Sequence, residues 1–202
     1  MEELLRRFAQ EFVDADGWIH ILNAGWIEDT LNLELEILFY PEAELETWHL
    51  SCSGVVKTSV SFEGTEILGL ALESPLLKPY TEPEVDLMFS ENECTPAFLL
   101  GVVCSSCVEL FGTAAYVSDF MNQKATVNGI VSSRYGLLGR FPESVATRIL
   151  ELLKDQPIRI NALEGRPPRR WDGQKFVGYP PLKVLEIGSS YVIAEQFSAR
   201  QQ

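Results

Sequence analysis

Between Leu31 and Tyr40 apolar and polar residues alternate one by one, with Leu31, Leu33, Leu35 and Ile37 set against Asn32, Glu34 and Glu36. A period of two belongs to a strand with one buried and one wet face. Trp18 to Leu22 reads as a strand too, and period two puts Trp18 and His20 on one face. Thr47 to Phe62 is β-rich but too long for one straight strand, and Ser53–Gly54 offers a bulge or turn in its middle. Ile67 to Leu72 and Val85 to Phe89 are shorter strands, separated by a proline-rich loop from Pro75 to Pro83. The N-terminus has a different rhythm. Leu4, Leu5, Phe8, Phe12 and Val13 fall at helical spacing over residues 2–13, and the cluster Asp14, Asp16, Gly17 ends the helix.

The pattern changes at Thr95–Pro96, where Thr suits an N-cap and Pro the first helical position; an apolar segment then runs to Phe111 before Gly112. It predicts a largely buried helix. A second short helix is expected within Thr113 to Met121, a turn at Asn128–Gly129, and a connection where Gly136 and Gly139 flank Leu137 and Leu138. Glu143 to Lys154 carries the stripe Val145, Ile149, Leu152, Leu153 and reads as helix, stopped by Pro157. Ile158 to Leu163 suits an edge strand, Glu164 to Pro181 a loop, and Leu182 to Phe197 a hairpin turning at Gly188–Ser190. Residues 199–202 are expected to be disordered. The pattern therefore predicts an α+β fold: an N-terminal helix, an antiparallel curved meander, central buried helices and a C-terminal hairpin. We read residues 1–202 as one domain with an acidic β-rich part (1–94), a helical part (95–156) and a basic loop and hairpin (157–202).

Composition adds a compartment. With 46% hydrophobic and 22% charged residues the chain is of globular type. The segment MEELLRRFAQEF lacks a signal-peptide core and no apolar run approaches membrane-spanning length, so the expectation is a soluble, cytoplasmic protein without a membrane role. Cys52, Cys94, Cys104 and Cys107 are then reduced thiols. Charge is divided unevenly. Residues 1–130 hold 22 Asp and Glu against 5 Lys and Arg, while residues 131–202 hold 7 against 11, for a formal total of −13. Such a surface repels nucleic acid and attracts cationic partners.

The chemistry offered is sparse. Cys104 and Cys107 form a C-x-x-C inside the expected helix, where the dipole gives no activation, and they read as core residues; no second C-x-x-C supports zinc. No metal or cofactor is expected. His20 and His49 are candidate general bases, but no nucleophile elbow or triad accompanies them and strand histidines are commonly structural. Glu34 and Glu36 lie about 7 Å apart on one strand face, and Glu42, Glu44 and Glu46 form another acidic set. Arg166, Arg169, Arg170 and Trp171, on a proline-stiffened loop, suit phosphate or carboxylate and a ring, or alternatively neutralise the acidic region internally.

Two readings follow. The first is a non-enzymatic inhibitor, immunity-type or adaptor module that binds a basic protein through Glu34, Glu36, Glu44 and Glu46. The alternative is a small-molecule enzyme or binding domain with His20 or His49 as base and Arg169 or Arg170 as anion anchor. Lack of a recognisable catalytic constellation favours the first. The partner and the oligomeric state stay open.

Overall fold

The alternating segments pair into antiparallel sheets, the N-terminal helix joins their core and the helical segments after residue 77 pack on a smaller sheet, an α+β fold. The computed structural model describes residues 1–11, 17–39, 44–122 and 124–202. Phe12, Val13, Asp14, Asp16, Tyr40 and Glu42, which entered the sequence reading, lie outside the described residues, as does the side chain of Glu44. The chain begins with α1 (Glu2–Glu11), β1 (Gly17–Ile27), β2 (Thr30–Phe39), β3 (Glu44–Ser53), β4 (Lys57–Ser59) and β5 (Leu68–Ala71). It continues through α2 (Lys78–Thr81), β6 (Glu84–Ser90), α3 (Pro96–Phe111), α4 (Val117–Phe120) and α5 (Val127–Val131). Next come β7 (Gly136–Pro142), α6 (Glu143–Leu153), β8 (Arg159–Ala162), β9 (Arg169–Trp171) and β10 (Phe176–Gly178). The last strands are β11 (Lys183–Ile187), β12 (Ser190–Ala194) and β13 (Gln196–Gln201). Among the described residues no helix is long and apolar enough to cross a membrane.

These elements make two compact units, residues 1–77 with 180–202 and residues 78–179. The divisions fall at Leu77/Lys78 and Tyr179/Pro180 rather than at the composition changes near residues 94 and 156.

The first unit has two four-stranded antiparallel sheets, in the orders β1-β2-β3-β13 and β4-β12-β11-β5. Leu31, Leu33, Leu35 and Ile37 of β2 point inward, as their period requires, and join Ile19, Ile21, Trp48 and Leu50. Leu185, Ile187 and Val192 of the other sheet and Leu4 and Phe8 of α1 close the same cluster. Burial of this continuous apolar set is the main force holding the unit together. The break expected at Ser53–Gly54 is where the chain leaves β3 for β4; Glu195, between β12 and β13, donates its backbone N–H to the Ser53 carbonyl at 3.2 Å.

In the second unit β6 is the central strand of an antiparallel β7-β6-β8 sheet, and α6 packs against all three strands. Thr95 caps α3 by accepting the Phe98 N–H at 3.3 Å, and Gly112 ends it at φ +73°. One stripe of α3, from Leu99 through Val103 and Cys107 to Phe111, is buried, whereas Phe98 and Val108 are exposed. The helix is thus less fully enclosed than its composition implies. Glu82 supplies a capping contact at the start of α6: its Oε2 accepts the Ser144 N–H at 2.9 Å. Burial opposes ionisation of Glu82, but the bonds from Ser144 and the charge of Lys78 together hold its carboxyl below the usual range.

Five sequence expectations are corrected. The proline-rich loop expected from Pro75 to Pro83 contains α2. Asn128–Gly129 is inside α5, because Thr126 accepts the Gly129 N–H at 3.1 Å and starts a helix there. The expected connection at Gly136–Gly139 is β7, a buried strand paired with β6. The loop from Glu164 to Pro181 contains a hairpin, β9 with β10, whose turn is closed by Asp172 accepting the N–H groups of Gln174 and Lys175 at 2.8 and 2.7 Å. Residues 199–201 are ordered in β13, which pairs with β3 and lays Phe197 and Ala199 on the core.

Gly139 has a steric reason. A Cβ there would run into the Phe120 carbonyl oxygen and lie 2.9 Å from the Met121 Cα, with which it forms an isolated bridge. Gly139→Ala is expected to cost about 1–3 kcal/mol of stability in denaturant titration; an unchanged midpoint would show that this approach is not tight.

Candidate functional site

Glu34 and Glu36 occupy the outward face of β2, as their phase predicts. Each stands beside a histidine across the ladder: His49 of β3 opposite Glu34, and His20 of β1 opposite Glu36. Glu46, expected on an acidic surface, is on the opposite face. It pairs with Ile37, its side chain is only 5% exposed, and its carboxylate binds the Arg7 guanidinium while accepting the Trp48 indole N–H at 2.8 Å. Glu46 is therefore an internal partner of α1 rather than part of a docking surface. The backbone of Glu44 pairs with Phe39.

The two histidines are held by local bonds. His20 Nε2 lies 2.6 Å from the Phe62 carbonyl oxygen, which fixes that nitrogen as donor, and the ring meets Trp18 edge-on at 5.8 Å. His49 Nε2 faces Gln202 Oε1 at 3.2 Å. Both histidines belong to the first unit and Arg169 and Arg170 to the second, and the recess that holds His49 is lined by first-unit residues.

That first-unit recess, about 310 Å³, joins residues of different origin. Trp26 and Ile27 come from the end of β1, Asn32 and Glu34 from β2, and His49 from β3. Trp26 is 54% exposed and Ile27 69% exposed. The two-residue turn that follows, Glu28–Asp29, is exposed, and Glu28 is held at φ +52°, a conformation costly for a residue with a Cβ. Two exposed apolar side chains thus share a recess with the Glu34 carboxylate, next to an acidic turn. The sequence reading ended this strand at Leu22 and so missed Trp26 and Ile27, whereas β1 passes through a bulge between Ile21 and Asn23 and continues to Ile27.

The arginine segment lies in the second unit. Arg166 bridges to Glu84 through its backbone and donates Nη2 to Asp86 Oδ2 at 2.6 Å; Arg140 of β7 donates Nε to Asp86 Oδ1 at 2.7 Å. One β6 carboxylate therefore orients two guanidiniums, which is the internal neutralisation the charge split suggested for Arg166. Arg170 is half-buried, whereas Arg169 is exposed and, among the described residues, makes no ion pair. Trp171 packs edge-on against Phe176 at 5.2 Å across the hairpin. Burial raises the carboxyl pKa of Glu84, and the nearby charge of Asp86 adds to this, against the opposing pull of Arg140 and Arg166.

Cys107 sits in the buried stripe of α3 and Cys52 in the first core, and burial pushes both thiols up to about 12. Neither has the exposed, electropositive setting a reactive thiolate needs. Among the described residues no three His, Cys, Asp or Glu side chains are grouped to hold a metal ion. Comparison with protein families, curated proteins and solved structures returns no match for this chain.

Proposed function

We propose that the protein is a non-enzymatic interaction module of the inhibitor, immunity or adaptor kind, soluble and cytoplasmic, that binds a basic protein through its first unit. The observation that carries this reading is the partition of charge between the units. The first holds 17 Asp and Glu against 5 Lys and Arg, a formal −12, while the second holds 12 against 11, a formal −1. A field of one sign on a single unit steers a cationic partner, and an apolar centre supplies short-range affinity once contact is made. Trp26 and Ile27 form that centre, and Glu28, Asp29 and Glu34 form its acidic rim. The surface keeps Glu34 and Glu36 of the sequence expectation, loses Glu46 to the interior and gains the β1–β2 turn, while the Glu44 side chain lies outside the described residues.

The backbone at Glu28 sharpens the test. Glycine would relieve the positive φ, so Glu28→Gly is expected to stabilise the fold by about 1 kcal/mol while weakening partner capture. The wild-type chain and this variant are immobilised and exposed to native extract at low and high salt, and retained proteins are identified by mass spectrometry. The reading predicts a basic protein retained by wild type at low salt, released at high salt and captured less by the variant. Equal capture by a more stable Glu28→Gly chain would contradict it.

A further inference from the structure

Two adjoining recesses of the second unit share the walls Glu84 and Arg140. The larger, about 730 Å³, is lined by Tyr80 and Tyr179, whose rings meet edge-on at 5.1 Å, and by Asp119, Asn122 and Lys124. The smaller, about 220 Å³, is lined by Arg166, Arg169 and Phe176. Chemically the two differ: one has an aromatic wall with hydrogen-bonding groups, the other a guanidinium lining.

Charge in the smaller recess does not cancel. Arg140, Arg166 and Arg169 line it beside Glu84, and Asp86 pairs with Arg140 and Arg166, leaving one cation in excess. Asp86 takes one N–H edge from Arg140 and one from Arg166, so both guanidiniums are fixed in direction with donors remaining. Preorganised forks of this kind suit the oxygens of a phosphate. The larger recess is within the size range of small-molecule sites and far exceeds what a bare anion fills. Its tyrosine faces and edges suit a planar ring, and Asp119 and Asn122 suit hydroxyl or amino groups.

We propose that this double recess binds a nucleoside monophosphate, its phosphate at Arg166 and Arg169 and its base and sugar against Tyr80 and Tyr179. The site lies in the unit that the first proposal does not use, so either can fail without the other. A ligand that fills both recesses adds the contacts of its two halves, so each half alone binds more weakly than the whole.

The test is calorimetric titration of the full chain with adenosine monophosphate, adenosine, inorganic phosphate and benzoate, repeated on Arg169→Ala. Arg169 is exposed and outside the Asp86 pairs, so its loss leaves the fold intact, which circular dichroism verifies. The expected result is saturable binding of adenosine monophosphate, weakened about tenfold in Arg169→Ala, with adenosine and phosphate each at least about tenfold weaker on wild type. Adenosine binding as well as its monophosphate, no saturable binding, or an unchanged affinity in Arg169→Ala would overturn the proposal. Benzoate binding more tightly than the nucleotide would overturn it in favour of an aromatic carboxylate.

Discussion

Glu46→Ala is expected to destabilise the protein by about 3–5 kcal/mol, the cost of breaking a buried ion pair by removing one partner. The carboxylate lies on the inner face of β3, and its loss takes from the Arg7 guanidinium, 23% exposed, the charge it binds there. The Trp48 indole, itself 1% exposed, loses the acceptor of its N–H as well. Replacing both partners by apolar residues, Arg7→Met with Glu46→Leu, is expected to recover most of the loss, since that removes both charges together. Glu34→Ala, on the outward face, is expected to stay within about 0.5 kcal/mol of wild type. Chemical denaturation of the three variants reads the difference. A cost for Glu46→Ala as small as that of Glu34→Ala would mean that the Arg7 and Trp48 contacts contribute nothing.

The place of Glu46 was legible, for it is in phase with Trp48, Leu50 and Cys52, and period two puts all four on one face. Its charge obscured that phase, since an isolated acidic residue reads as surface unless its partner is in view, and Arg7 lies on another element. Local signals served well where they are strong. Thr95–Pro96 and Gly112 bracket α3, and the alternation of β2 gave both its core and its wet face. Asp172–Gly173 is an equally direct hairpin signal, but the prolines around it favoured a loop. The order of β13 could not be read locally: Phe197 and Ala199 are anchored by a core assembled from distant strands, and the backbone bonds go to β3, more than a hundred residues earlier. The recess at Trp26 and Ile27 was illegible because the strand continues past Leu22 through a bulge that no local signal marks.

Trp26→Ala carries the second large expectation. Exposed aromatic residues at the centre of a protein interface commonly contribute about 2 kcal/mol or more, which corresponds to a loss of roughly 30-fold in affinity. The loss should lie in the dissociation rate, because an indole acts after contact and carries no charge to steer the encounter. Folding stability should be nearly unchanged, as more than half of the side chain is exposed to solvent. Biolayer interferometry with the captured basic protein separates the two rates. An unaltered dissociation rate would remove Trp26 from the contact and leave the acidic rim as its only support.

The most direct test of an acidic unit that captures a basic protein is the association rate of wild type and of the Glu28→Lys, Glu34→Lys double variant with that protein, measured from low to high ionic strength. Electrostatic capture predicts a rate that falls with salt for wild type, a drop of about tenfold or more for the variant at low salt, and convergence of the two at high salt where charges are screened. Equal rates at low salt, or a wild-type rate indifferent to salt, would contradict it.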